Sequence, residues 1–248
     1  MKSDVLNKYA LSDSDVKRYK NLTEELTKRD LNDVELAEYN RLFTTINANR
    51  TKILNKYSSI AKHKPLPNKD SINRLLNIRK KGKKSGYNKN TAILEVDVLI
   101  EGEKRTLVLE GLAGQKTGGS KSGLVESVNK DVLKSELDLN SVNSELSTNF
   151  QALDEGNELV TRLYDSEHKM LEVADDIIHK LFVKFGEENV KVSSMRLDTL
   201  YTPCSSCQKQ IIARSEYYGV IDIEVRAVSI GGGKYARDNT DLLKIGKK

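Results

Sequence analysis

Residues 190–228 read VKVSSMRLDTLYTPCSSCQKQIIARSEYYGVIDIEVRAV, and this stretch decides the fold class. Val190 to Thr202 contains a strand. Cys204 to about Tyr217 is a helix with Ile211 and Ile212 turned inward, and Val220 to Val228 is a further strand bearing Ile221, Ile223 and Val225. A strand, a crossover helix and a second strand in succession place the two strands parallel in one sheet, covered by helices on both faces.

Upstream of it, a strong helix begins near Tyr164, with Met170, Leu171, Ala174, Ile177, Ile178, Leu181 and Phe185 at three- and four-residue spacing. Gly186 ends it. Further upstream, Thr91 to Ile100 alternates, with Ala92, Leu94, Val96, Val98 and Ile100 on one face. Arg105 to Leu109 returns after the Glu101-Gly102-Glu103-Lys104 turn, a hairpin signature. Asp70 to Arg79 reads as a short helix. Residues 111–158 are rich in Gly, Ser, Asn and Lys with weak periodicity, and read as a long polar insertion, about 112–160, that covers or frames a site. The tail from Asp238 reads as one short helix.

Ser12 to roughly Ile60 is helical, with Val16, Tyr19, Leu22 and Leu26 on one stripe and Leu36, Tyr39, Phe43 and Ile46 on a second. Pro65-Leu66-Pro67-Asn68 breaks that pattern, because proline lacks an N–H and disfavours helix in the residue before it. The expected division is therefore a helical region over 1–67 and an α/β domain over 68–248, with the order α-β-β-(insertion)-α-β-α-β-(α).

At 248 residues, 38% hydrophobic and 31% charged, the chain is long enough to bury a sizeable core and polar enough to be soluble. No apolar run approaches the roughly 18 residues a membrane span requires, and Met1 to Ala10 lacks the apolar segment of a secretory signal. Net charge is +5, but Arg79, Lys80, Lys81, Lys83 and Lys84 crowd around Gly82. That cluster reads as a phosphate contact or as a solvated charge run. Gly231-Gly232-Gly233-Lys234 is followed by Tyr235, so it lacks the Ser or Thr of a phosphate loop and reads as a flexible turn.

Only two cysteines exist, spaced as Pro203-Cys204-Ser205-Ser206-Cys207 at a helix start. That spacing brings both sulfurs to one end of the first turn, where the free N–H groups favour thiolates. A redox pair and half of a zinc site both use this spacing. A structural zinc site needs four protein ligands and no second such pair exists, which points to an open site.

The other periodic helix begins Tyr164-Asp165-Ser166-Glu167-His168. Together with Pro203-Cys204-Ser205-Ser206-Cys207 this resembles the zinc deaminase signature, H-x-E followed by P-C-x-x-C, with Asp165 at the histidine position. The resemblance extends from about Asp70 to the C-terminus and looks closest to the deaminase domains of bacterial polymorphic toxins, carried by Ala92–Asp97, Tyr164–Leu171 and Leu200–Ile211. It implies a three-layer α/β/α sandwich of the cytidine deaminase type and a zinc ion held by Asp165, Cys204 and Cys207. It also implies that Glu167 moves the protons of hydrolytic deamination, cytosine to uracil in DNA or RNA. Asp165 departs from the usual histidine, and a carboxylate makes the held ion less electropositive than a neutral imidazole does.

His168 follows Glu167 directly, and if it were the ligand the residue two positions on would be Met170, which moves no protons. It reads instead as orienting a ligand, contacting substrate or lying on the surface without a role. Tyr201 and Pro203 flank the thiols as candidate substrate contacts, and Tyr217 and Tyr218 are further candidates for stacking on a base. His63 and His179 carry no signal. A base must leave its stack to reach such a pocket, so the implied partner is a single strand or a flipped nucleotide. By the same resemblance the protein is delivered as a toxin into a target cell, acts in its cytoplasm and meets an immunity protein. An inactive deaminase-like module that binds nucleic acid and a free-nucleotide deaminase are the alternatives.

Overall fold

Two-residue turns that twist with their strands need positive φ at both positions. Glu101 and Gly102 supply it, at 51° and 86°, and between them they close the hairpin at the centre of the molecule. The computed structural model describes residues 12–81, 90–113, 125–127, 129–142, 151–153, 159–161, 165–220 and 222–228. In chain order the helices are α1 (Asp13–Leu26), α2 (Asp33–Ile60), α3 (Lys69–Lys81), α4 (Lys130–Glu136), α5 (Ser166–Phe185) and α6 (Ser205–Tyr218). The strands are β1 (Ala61–Pro65), β2 (Thr91–Ile100), β3 (Glu103–Leu112), β4 (Val125–Ser127), β5 (Gln151–Leu153), β6 (Leu159–Thr161), β7 (Val190–Thr199) and β8 (Ile223–Ala227). Among the described residues, strands β5 and β6 pair with each other as a separate two-stranded sheet.

The main sheet is mixed and runs β1-β8-β7-β2-β3-β4. Strands β7 and β8 are parallel, in register Met195 to Ile223, joined by α6 as the strand–helix–strand reading requires. The β2–β3 hairpin is antiparallel, and β2 pairs antiparallel with β7 on its other side. Alternation then sorts the side chains. Leu94, Val96, Val98, Leu107, Leu109, Met195, Leu197, Ile223 and Val225 form one core with Met170, Leu171, Ile178, Ile211 and Ile212 of α5 and α6. Ile93 packs instead with Leu75, Leu76 and Ile78 of α3, so helices cover both faces. The protein is thus α/β. Beside α3 the second face is ionic: Arg226 pairs with Asp198, Lys64 with Glu224, Arg196 with Glu95 and Lys104 with Asp97.

The helical start divides differently from the boundary expected at residue 67. Tyr19, Leu22, Leu42 and Ile46 make a small core between α1 and the first half of α2, whose start carries a reciprocal cap between Asn32 and Glu35. Beyond it, Tyr57 and Ala61 enter the main core, and β1 joins the sheet parallel to β8, in register Ala61 to Ile223. Strand β1, before the expected boundary, is therefore part of the same sheet. The reason is that an edge strand needs only one partner, so Lys62, Lys64 and Pro65, which argue against a central strand, are tolerated.

The long insertion also carries structure. β4 pairs with β3, and α4 sets Leu133, and the turn after it Leu139, into the core. Asn129 ties that helix to the sheet by donating to Thr106 O (2.6 Å) and accepting from Val108 N (2.8 Å). The expected tail helix, the Gly231–Lys234 turn, Lys83 and Lys84 lie outside the described residues. Among the described residues no helix is long and apolar enough to cross a membrane.

Candidate metal centre

Helices α5 and α6 both begin at the end of the sheet where β7 finishes, and each starts in an unusual way. Asp165 and Cys204 occupy the two N-cap positions with extended backbone, yet neither side chain bonds the free N–H groups of its own helix. An aspartate at that position normally does, and the bond contributes about 1 kcal/mol. Here both side chains turn toward a common point between the two helices.

The donor atoms meet there. Cys204 Sγ lies 3.4 Å from Asp165 Oδ2, Cys207 Sγ lies 3.8 Å from it, and the sulfurs are 3.7 Å apart. A tetrahedral zinc ion with its usual bond lengths demands about 3.8 Å between two sulfurs and about 3.5 Å between sulfur and oxygen. Asp165, Cys204 and Cys207 form the group that could hold a metal ion among the described residues, and three ligands leave a tetrahedral position open. The Cys207 thiol, 1% exposed, is pushed upward first by its hydrogen bond with Cys204 and then by burial. A cation among these groups reverses that balance, because it favours the thiolate.

Glu167 stands in the first turn of α5 beside this set and is 3% exposed. Asn90 Nδ2 donates to its Oε1 at 2.6 Å and Ser166 Oγ to its Oε2 at 2.8 Å, while Thr199 Oγ1 lies 3.3 Å from Oε1. Burial, and then the Asp165 charge, push the Glu167 carboxyl up to about 7. A carboxyl held there is poised to take and give protons near neutrality. Asn90 is shared with the opposite wall, since its Oδ1 accepts from Tyr201 N at 3.2 Å. Gly111 of β3 lets the start of α5 lie close: a Cβ there would stand 3.1 Å from Ser166 O and 3.0 Å from Met170 Cγ.

The structure thus brings together Asp165, Glu167, Cys204 and Cys207 and does not bring His168 among them. His168 is fully buried rather than on the surface, its Nε2 3.1 Å from Glu172 Oε1 without hydrogen-bond alignment. One residue beyond Glu167 on a helix points about 100° away, into the packing beneath α5. Tyr201 is half-buried, its hydroxyl 3.5 Å from Arg79 Nη2. Pro203 is buried, and its carbonyl accepts from Gln208 Nε2 at 3.0 Å. Arg79, expected in a solvated basic run, is 7% exposed. Tyr217 and Tyr218 lie about 15 Å along α6 from Cys207. Tyr217 stacks on His179 and Tyr218 donates to Asp175, so neither reaches the centre.

Four residues near the centre carried no sequence signal. Asn90 and Thr199 lie at opposite strand ends and meet only through the β2–β7 pairing. Lys209 is 4% exposed, its ammonium lowered to about 8 by burial against the opposing pull of Cys204. Tyr57, delivered by α2, has its phenol raised by burial and then by Cys207 and Glu167, which marks the N-terminal helix as a neighbour of the centre. No protein-family model, no curated protein and no solved structure matches the chain.

Proposed function

We propose that the protein is a zinc-dependent hydrolytic deaminase acting on cytosine in nucleic acid. The observation that carries this reading is the arrangement at the two helix starts: one carboxylate and two thiols at tetrahedral separations, with a second carboxyl buried beside them near neutrality. Asp165, Cys204 and Cys207 hold the ion. When bound, zinc supplies Lewis acidity and lowers the pKa of a water toward neutrality. Glu167 accepts the proton of the attacking water and passes it to the ring nitrogen of the base; it then takes the proton of the added hydroxyl and gives it to the amine, which departs as ammonia while the carbonyl forms. Asn90 and Ser166 hold its two oxygens in place for those transfers. Tyr201 and Pro203 line the approach.

A thiol redox pair accounts for the two sulfurs but gives Asp165 and the buried Glu167 no task. The sequence resemblance supports the remainder of the reading: a fold of the cytidine deaminase type, cytosine in a polymer as substrate, delivery as a toxin acting in the cytoplasm of a target cell, and an immunity protein as partner.

Two measurements test it. Purified protein should carry about one zinc per chain. Incubation with cytosine-containing single-stranded DNA and RNA should then yield uracil, and Glu167→Ala should lower the rate by about 10²–10⁴-fold while keeping the metal. Protein that holds zinc but forms no uracil in either polymer is an inert binding module, and uracil from free cytidine alone moves the substrate to the nucleotide.

A further inference from the structure

Helices α5 and α6, which meet at the metal centre, are joined again deep below it. Arg214 of α6 is fully buried, and its Nη2 lies 2.6 Å from Oδ2 of Asp175 on α5, which is 1% exposed. Tyr218 Oη donates to Asp175 Oδ1 at 2.7 Å, and Arg214 Nη1 donates to Gln210 O at 3.2 Å and to Gln210 Oε1. The Nη2 contact is a close ionic approach without hydrogen-bond alignment.

Such a pair is a weak means of stabilising a fold. Desolvating two charges offsets most of their attraction, and apolar side chains of similar volume pack as well or better. Its position is what sets it apart. Arg214 follows Cys207 by two turns and Asp175 follows Glu167 by just over two, so the pair sits about 10–12 Å below the centre on both helices. Other buried side chains of these two helices, Ala174, Ile178 and Ile211 among them, belong to the apolar core, and aliphatic contact has no preferred direction along an axis. Here the guanidinium is held on α6 by its bonds to Gln210 and the carboxylate it approaches is anchored on the same helix by Tyr218, so the close charge contact ties one place on α6 to one place on α5.

We propose that Arg214 and Asp175 are positioning residues, a crossbar that fixes how far α6 sits along α5 so that Asp165 meets the two thiols at bonding separation. A slip of one residue moves a helix by about 1.5 Å, whereas metal ligands must be placed to within about 0.2 Å. This inference rests on the metal-centre reading.

Cobalt(II) titration of the metal-free full chain tests it, followed by cobalt–thiolate absorption, beside thermal unfolding of the same metal-free samples. Wild type takes up one cobalt per chain. Arg214→Met alone leaves a buried carboxylate uncompensated and lowers Tm. The double variant Arg214→Met/Asp175→Leu regains the wild-type Tm, yet binds cobalt about tenfold or more weakly, with altered absorption. A double variant that matches wild type in affinity and spectrum overturns the crossbar and leaves the metal centre standing. Wild type that takes up no cobalt overturns both. If the double variant does not fold, Tyr218→Phe decides: removing the hydroxyl that anchors Asp175 is expected to weaken cobalt binding by about twofold to fivefold, and unchanged affinity overturns the proposal.

Discussion

At the scale of single residues, Glu167 trades stability for chemistry. Its carboxyl rises from an ordinary 4.5 to about 7 because folding removes it from water and sets it beside Asp165. Folding therefore takes up a proton between these values. Through this group alone, the contribution to the metal-free fold is greatest below about pH 4.5, falls as pH rises to about 7, and changes no further above it. Glu167→Gln removes that loss, so the metal-free variant should exceed wild type by about 3 kcal/mol at pH 8 and by nothing at pH 4. Urea unfolding in the presence of a chelator at the two pH values measures the difference, and equal midpoints at pH 8 refute it. Asn90, which holds Glu167 from the first residue before β2, gives a second expectation. Asn90→Ala should cost about 10–100-fold in deamination rate, as misplaced groups do, with zinc content unchanged by metal analysis. The grouping of Asp165, Cys204 and Cys207 was legible because helix starts and a three-residue cysteine spacing are local. Asn90, Thr199 and the burial of His168 were not, since each depends on which strand or helix arrives opposite.

At the scale of elements, the starts of α5 and α6 forgo ordinary capping. Asp165→Ser puts a good capping residue at the same place without a strong metal ligand. Metal-free Asp165→Ser should then match wild type or gain up to about 1 kcal/mol, while its zinc affinity falls by at least about tenfold; paired thermal unfolding and competition with a zinc indicator read both. A fall in stability with affinity intact would falsify the view that Asp165 serves the metal rather than its helix. The hairpin, α3, α5, α6 and the parallel pair β7–β8 were legible from periodicity and turn residues. Strand β1 was not, because Ala61-Lys62-His63-Lys64-Pro65 has neither alternation nor β-branched residues. Its place comes from the helix before it, which sets Tyr57 and Ala61 into the core, and from β8, which is 158 residues away.

At the scale of the whole molecule, the N-terminal segment bears on the stability of the entire fold, and so would an ion at the proposed centre. A chain of residues 68–248 lacks β1, Tyr57 and Ala61, which bares the edge of β8 and part of the main core. It should lose fixed tertiary structure, seen as a collapsed near-ultraviolet dichroism signal, where an autonomous domain would keep it. Zinc, binding the folded state alone, should stabilise the full chain by about 2.7 kcal/mol at a hundredfold excess over its Kd. Thermal scans with zinc, with chelator, and with Cys207→Ser check this, the last showing no response. The parallel partnership of β1 with β8 has a consequence for biosynthesis. Strand β1 waits for its partner, because the β8 residues it pairs with follow it by more than 150 positions along the chain. A nascent chain halted before Ile223 holds the hairpin and both helix starts but leaves β1 without its partner, so this edge of the sheet closes only after β8 has been made.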